Sequence, residues 1–274
     1  MANGALSFRV LTLVPLLWLM LPALSSAADK LLFTTAPTQP VQKTLEMYGP
    51  LVEFLSERAG VEIELRPVRS FLEYTIHMQR GEYDIYFDGP HFASWRMQHQ
   101  GHRVLAKLPG EIRFVVVVRD DAGIDSIKEL AGKRVCGFSS PNLLTLGFLD
   151  LYANPASQPQ IVAVKSFMDS LRCVQAGRGI ASVMRDKFWE KRKPEEREGL
   201  HQIHISEAYP HRAFTIRGDV DAEIRGRLTA ALLSEEGIRH GEAILKRFRV
   251  QHFSRASDAE YEGFYRLLNS TWGF

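Results

Sequence analysis

Short apolar strands alternate with helices along most of this chain, and that alternation restricts the fold more than any other feature. The first strand is Leu31–Thr34, and a helix within Thr44–Ala59 follows it and ends at Gly60. In the next strand, Val61–Pro67, apolar and charged residues alternate with a period of two, which is typical of a strand with one wet face. The pattern predicts an α/β fold built of strands and helices in layers.

The strand and helix pattern then begins a second time. Ile112–Val118 is a nearly continuous apolar strand, and a new series of strands and helices follows it up to about residue 205. After one more apolar strand, Ala213–Ile216, only helices are predicted. The last helix opens with the capping pair Ser257 and Glu260. We therefore expect two α/β units.

The segment Gly81–His91 is the first candidate site. Its first half alternates as a short strand, with Gly81 stopping the helix before it, and the turn residues Asp88, Gly89 and Pro90 then lead into a helix that His91 opens. Such a junction places free backbone N–H groups at the carboxyl edge of an α/β sheet, where small ligands usually bind. An ordinary strand-to-helix loop explains the same pattern.

Met1–Ala28 has the features of a secretory signal. Arg9 is its only charge, Val10–Leu21 is an apolar run too short to span a bilayer, and small residues lead to cleavage near Ala27 or Ala28. We expect an exported, periplasmic chain of about 246 residues, enough for one or two domains.

The net charge of +2 falls by one when the signal is removed, and acidic and basic residues are well mixed, which gives no reason to expect a nucleic-acid partner. We expect a monomer.

Two cysteines, Cys136 and Cys173, remain in the exported chain. In an oxidising compartment they can form a disulfide, and two separate buried thiols are the alternative.

Signatures of nucleophilic or metal-dependent catalysis are absent from the sequence, and His201 and His204 fall on opposite faces of a strand-like segment. We expect no enzyme activity, no cofactor and no metal.

Several ordered segments resemble a known family. They are Tyr48–Leu55 (YGPLVEFL), Gly81–Ile85 (GEYDI), Gly89-Pro90 and Glu129–Val135 (ELAGKRV). Together they resemble the phosphonate/phosphite-type periplasmic solute-binding proteins of ABC transporters. The resemblance implies a two-lobed, type II (Venus flytrap) binding protein, each lobe a mixed sheet flanked by helices. The first lobe would comprise residues 29–113 plus 214–274 and the second residues 114–213, with Val115–Val118 and Ala213–Ile216 as the hinge crossovers.

The resemblance also implies where the ligand binds. Carried over by position, the contacts are Thr35, Tyr48, Asp88, Gly89, Pro90 and His91 in the first lobe and Ser139, Ser140, Asn142 and Thr145 in the second. By topology, Tyr209, His211 and the segment Met184–Asp186 also line the cleft, with hinge packing as the alternative. At this place relatives that hold phosphonates have a run like Ser-Thr-Ser-Gly, of which Ser139 and Ser140 remain in this chain. Here Pro141-Asn142-Leu143-Leu144 follows, which removes an N–H donor and adds apolar groups.

Asp88 affects the expected ligand, because a carboxylate facing the cleft repels an anion unless the ligand also carries an amine. A helix cap is the other role open to Asp88. We expect a small oxyanionic or zwitterionic, phosphonate-like ligand, delivered to an inner-membrane ABC permease. A lipid-like cargo and a membrane sensor kinase as the partner are the alternatives.

Overall fold

The computed structural model describes residues 1, 30–269 and 271. The predicted signal segment therefore lies, apart from Met1, outside the described residues. The strands are β1 (Leu31–Thr35), β2 (Ile63–Leu65), β3 (Ile85–Asp88), β4 (Arg103–Lys107), β5 (Glu111–Ile112), β6 (Phe114–Arg119), β7 (Arg134–Gly137), β8 (Gln160–Ala163), β9 (Ala181–Arg185), β10 (Leu200–Ile205), β11 (Tyr209–Pro210) and β12 (Ala213–Ile216).

Within the described residues, ten α-helices lie between and after these strands. They are α1 (Val41–Ala59), α2 (Phe71–Gln79), α3 (Pro90–Gln100), α4 (Leu143–Leu149), α5 (Phe167–Gln175), α6 (Asp186–Glu190), α7 (Pro194–Arg197), α8 (Ala222–Leu233), α9 (Glu235–His240) and α10 (Glu242–Phe248). Local sequence accounts for several boundaries: Gly60 and Gly101 adopt left-handed conformations after α1 and α3, and Ser70 accepts a hydrogen bond from the Glu73 N–H at the start of α2.

The strands form two five-stranded mixed sheets. The first has the order β2-β1-β3-β12-β4, with β1, β2 and β3 parallel and β12 antiparallel to both of its neighbours. The second has the order β10-β6-β9-β7-β8, with β7 parallel to β8 and β9, and β6 antiparallel to β9 and β10. The predicted α/β class, with two mixed sheets flanked by helices, is confirmed.

A third, two-stranded sheet joins the two large ones. β5 and β11 pair antiparallel there, with Ile112 opposite Tyr209 and Glu111 opposite Pro210. The sequence placed the crossovers at Val115–Val118 and Ala213–Ile216, and that placement is wrong. Both segments are interior strands of the large sheets, because continuous apolar runs are buried on both faces. The connecting strands lie a few residues earlier in each case.

Separate groups of apolar side chains stabilise the two sheets. Leu51 of α1, Leu228 of α8 and Ile244 of α10 pack with Phe87 and Phe214 on one face of the first sheet. On the second sheet, Val115 and Val117 pack with Leu171, Trp189 and Leu200. A further cluster contains residues from both sheets, including Tyr86, Phe92, Phe114 and Leu144. Apolar packing therefore continues from one sheet to the other.

Cys136 of β7 and Cys173 of α5 form a disulfide, with their Cα atoms 6.1 Å apart. Both residues are fully buried. The bond attaches α5 to β7, an interior strand of the second sheet. Of the two alternatives that the sequence left open, the structure therefore contains the disulfide.

The predicted last helix is broken. It forms two 3-10 turns, Asp258–Tyr261 and Phe264–Leu268, separated at Gly263, which has a φ of 81°. Ser257 and Glu260 form the expected capping box, and Tyr261 and Leu268 are buried. Phe264 and Tyr265 are only half-buried. The turns pack on α3, which they help to cover.

Candidate functional site: a cavity between the sheets

A cavity of about 260 Å³ lies where loops from the two sheets meet. Residues that follow β1, β3 and β11 line one side, and the start of α4, the first residue of α5 and the end of β9 line the other. The walls comprise Ala36, Thr38, Phe71, Gly89, His91, Phe92, Ile112, Pro141, Asn142, Leu143, Leu144, Phe167, Arg185, His211, Arg212 and Phe248. At roughly 30 Å³ for each water-sized group, the space suits a ligand of about nine non-hydrogen atoms.

The turn after β3 forms one wall, as its sequence predicted. Gly89 is the N-cap of α3 and Pro90 is in its first turn, where a missing N–H costs nothing. The His91 ring folds back over Gly89, so that a Cβ on Gly89 would lie 2.7 Å from the ring carbon Cε1. Only glycine at position 89 lets the His91 ring come this close to the backbone, and this packing holds the imidazole at the cavity.

His91 connects the two halves of the molecule. Its Nε2 lies 3.0 Å from the carbonyl oxygen of Pro141, in the loop before α4. A carbonyl only accepts, so Nε2 carries the proton, and the buried Nδ1 has no hydrogen-bond partner among the described residues. Burial, reinforced by the charge of Arg212, lowers the pKa of His91 to about 3. The imidazole is therefore neutral.

Three arginines give the cavity its positive charge. Arg212 lies on the wall with its guanidinium 5.2 Å from the centre of the Phe248 ring, and within residues 30–269 its guanidinium has no hydrogen-bond or ion-pair partner. Arg185, also on the wall, donates to the Glu111 carbonyl at 3.3 Å, and its Nε is 3.6 Å from Asp186 Oδ1. Behind the wall, Arg247 donates to the Thr38 hydroxyl at 3.3 Å.

The arginines repel one another. Burial lowers the pKa of Arg185 and of Arg247, and the charge of Arg212 lowers both further. None of the described residues that line the cavity is acidic. An incoming anion would relieve this repulsion, so the arrangement suits an oxyanion.

His211 adds a neutral donor beside Arg212. Its Nδ1 accepts a hydrogen bond from the Arg212 N–H at 2.8 Å, which leaves the proton on Nε2. Burial and the nearby Arg212 charge lower the pKa of His211 to about 3. The hydroxyl of Tyr261 donates to the His211 carbonyl at 2.7 Å and fixes the segment from behind.

Asp88 is turned away from the cavity, contrary to the prediction. It is fully buried, and its two oxygens accept hydrogen bonds from Arg96 Nη1 at 2.7 Å and Arg96 Nη2 at 2.9 Å. The hydroxyl of Tyr74 also donates to it. The carboxylate is neither a ligand contact nor a helix cap, because Arg96, two turns along α3, pairs with it inside the protein. The expectation of an amine on the ligand thereby loses its basis.

Of the other predicted residues, Gly89, His91, Asn142 and His211 lie on the cavity wall. The Asn142 side chain accepts from the Leu144 N–H at 3.0 Å and caps α4. The remaining predicted residues are not on the wall: Thr35, Tyr48, Pro90 and Thr145 are buried in the lobes, Ser139 and Ser140 are exposed, and Tyr209 is half-buried against Phe114 and Phe264.

Internal hydrogen bonds account for the two buried threonines. The Thr35 hydroxyl donates to the Phe87 carbonyl at 2.6 Å, and that of Thr145 donates to the Phe138 carbonyl at 2.7 Å.

Of the two arginines on the cavity wall, the sequence indicates Arg185 by topology but gives no prediction for Arg212. The available signal was its position directly after His211, just before the strand that returns to the first sheet.

The described part of the chain was also searched for a metal site and for a membrane-spanning helix. Over residues 30–269, no three histidine, cysteine or acidic side chains are grouped closely enough to hold a metal ion. None of the helices that the structure describes has the length and apolarity to span a membrane.

Two α/β halves, joined by a short ribbon and enclosing a cavity at the ends of their strands, define a type II periplasmic binding protein. Residues 33–261 match the family model described as "ABC transporter, phosphonate, periplasmic substrate-binding protein". The chain belongs to this family, as the motifs quoted above predicted. No protein with a curated description matches it in sequence.

Solved structures agree with the fold. PhnD1 from Prochlorococcus marinus, in complex with methylphosphonate, is 18% identical with a TM-score of 0.64, and the match covers 88% of this chain and 97% of PhnD1. A Xanthomonas citri protein bound to ATP is 14% identical with a TM-score of 0.68, covering 88% and 96%. A binding protein component of an ABC phosphonate transporter from Pseudomonas aeruginosa is 14% identical with a TM-score of 0.58, covering 85% and 83%.

Proposed function

We propose that this protein is exported to the periplasm, binds a small phosphonate-like oxyanion in the cavity between its lobes, and delivers it to an inner-membrane ABC permease. The lobes are residues 29–113 plus 214–274 and residues 114–213. The protein acts as a monomer, with no catalytic step and no nucleic-acid partner. The observation that carries the proposal is the Arg212 guanidinium on the cavity wall: among the residues that the structure describes, it has no hydrogen-bond or ion-pair partner, and none of those lining the cavity is acidic.

The ligand's oxyanion lies against Arg212 and Arg185, with the His211 Nε2–H as a neutral donor. Apolar walls from Phe92, Leu143 and Leu144 surround the organic part of the ligand. The similarity to PhnD1, which holds methylphosphonate, supports this class of ligand. A lipid-like cargo is disfavoured because the matching family is described by phosphonate. The family's association with ABC transporters disfavours a sensor kinase as partner.

Arg212→Gln tests the proposal directly. The variant removes the charge and the forked donor while keeping most of the side-chain volume. Charge-assisted hydrogen bonds are worth about 1.5–3 kcal/mol each, so methylphosphonate should bind roughly tenfold to hundredfold more weakly. Isothermal titration calorimetry measures the change, and Arg227→Gln, an exposed arginine of α8, is the matched control.

Two further measurements decide the location of the site. Ser139→Ala should leave the affinity within about twofold, because Ser139 is exposed and off the wall. Methylphosphonate, phosphite and phosphate should each compete for one site. Wild-type affinity in Arg212→Gln, or loss of affinity in Ser139→Ala, would show that the oxyanion binds elsewhere.

A further inference from the structure

A second cavity, larger and strongly basic, adjoins the first. It has a volume of about 500 Å³ and shares four wall residues with the inner cavity: Phe167, Arg185, His211 and Phe248. We call it the basic vestibule. Its other walls are Pro109, Glu111, Lys187, Phe188, Lys191, Arg192, Arg247, Arg249 and Val250. Because the two spaces share a wall made from both lobes, a ligand in the inner cavity lies next to the vestibule.

The charge of the vestibule is unbalanced. Six arginine and lysine residues line it, against Glu111 as the one acidic residue among its described walls. Arg192 is paired with Glu196 at 3.1 Å and Arg185 approaches Asp186 at 3.6 Å. Over residues 30–269, Lys187, Lys191 and Arg249 have no ion-pair partner. The local field therefore favours an anion.

The unpaired cations come from both lobes. Lys187 lies on α6 and Lys191 directly follows it, four residues apart and so on one face of the helical turn. Arg249 ends α10 of the first lobe in a left-handed conformation. Like charges on two facing lobes oppose closure unless an anion lies between them.

We propose that the ligand carries a second anionic group, joined by a short organic segment to the first, and that this group occupies the basic vestibule between Lys187, Lys191 and Arg249. The ligand class is thus an organic bis-anion in which phosphonyl, phosphoryl or carboxylate groups lie at both ends. This inference rests on the proposed function, since the first group is the oxyanion bound at Arg212.

The test compares α,ω-alkylenediphosphonates of two to five carbons with n-alkylphosphonates of the same lengths. Each pair differs in the terminal anionic group, so the ratio of their affinities measures what the second group gains. At low salt we expect at least one diphosphonate to bind about tenfold more tightly than its matched monophosphonate. This advantage should shrink on going from about 50 mM to 200 mM salt, because exposed lysines are screened.

The double variant Lys187→Gln/Lys191→Gln locates the gain. It should bring the affinity ratio close to one, whereas Lys128→Gln/Lys133→Gln, two exposed lysines outside both cavities, should leave the ratio at its wild-type value. An affinity ratio near one in the wild type, or a high ratio that survives the Lys187/Lys191 change, overturns the second site while the oxyanion site stands. If no monophosphonate binds at all, the proposed function itself fails.

Discussion

Asp88→Asn provides a strict test of how the strand end at the cavity is stabilised. Asp88 and Arg96 are both fully buried, and the carboxylate accepts two hydrogen bonds from the guanidinium, at 2.7 and 2.9 Å. The amide keeps the shape of the side chain but removes its charge and turns an N–H₂ group toward Arg96 or Tyr74. Arg96 is then a buried cation without a counter-charge.

The expected loss follows from that geometry. Two hydrogen bonds between charged groups, at about 1.5–3 kcal/mol each, give roughly 3–6 kcal/mol, and broken buried ion pairs typically cost about 3–5 kcal/mol. Arg96 retains its hydrogen bond to the Thr215 hydroxyl at 2.9 Å and its position 3.9 Å from the Tyr86 ring centre, so we expect the lower range. About 3–5 kcal/mol is a large part of a domain's usual stability.

Urea unfolding, followed by far-ultraviolet circular dichroism, measures the change. With a slope of about 3 kcal/mol per molar urea, the midpoint should fall by roughly 1–2 M. Asp121→Asn is the matched control, because Asp121 pairs with Arg119 at 2.8 Å but is 71% exposed, and its loss should cost at most about 1 kcal/mol. Combining Asp88→Asn with Arg96→Met should recover stability, since no buried charge remains. Equal effects of Asp88→Asn and Asp121→Asn would refute the buried ion pair.

Two further predictions concern the disulfide and the interlobe histidine. The disulfide closes a loop with a sequence separation of 37, so Cys136→Ser/Cys173→Ser should lower the free energy of unfolding by about 4 kcal/mol. The wild-type protein treated with reductant should be as stable as the variant. Two reactive thiols in unfolded, unreduced protein would contradict the disulfide. The pKa of His91 is lowered from an ordinary 6.5 to about 3, so the unfolded chain binds the proton more readily than the folded protein does. The contribution of His91 to stability is therefore complete above pH 6.5 and is lost as the pH falls toward 3. His91→Gln should therefore flatten the dependence of stability on pH by roughly 1.4 kcal/mol per unit between about pH 6 and 4. Parallel pH curves for the two proteins would mean that His91 titrates freely when folded.

Local sequence predicted the parts of the fold that local chemistry determines. Gly89 and Pro90 start α3, and Gly60 ends α1 where the sequence placed its stop, because caps and turns depend on a few neighbouring residues. The restart of the pattern near Ile112 marked the passage from one sheet to the other. The exact connecting strands were missed, since β5 and β11 are only two residues long and have no period to detect.

The site was harder to predict because side-chain direction depends on packing between distant segments. The order Asp-Gly-Pro showed where Asp88 lies, but its partner Arg96 was not identified. Arg96 becomes buried only when α3 packs so that the guanidinium lies among Tyr74, Met78 and Thr215, residues distant in sequence. A buried arginine is rare unless it is paired, and here the carboxylate of Asp88 supplies the counter-charge. Likewise, Ser139 and Ser140 have the right chemistry for an oxyanion, yet their loop turns them to solvent and presents Pro141 and Asn142 to the cavity.

The placement of charge explains how one strand end can serve both stability and binding. Gly89 is on the cavity wall and Asp88 directly precedes it in sequence. An unpaired carboxylate at Asp88 would repel the anion that Arg212 is placed to attract. Arg96 neutralises it from within the lobe, at a site with no solvent exposure, so the pair adds little field at the cavity. Arg212 and its arginine neighbours then act without opposition from the charge of Asp88. It follows that replacing Arg96 by a neutral residue should weaken oxyanion binding as well as stability, although Arg96 itself lies off the cavity wall.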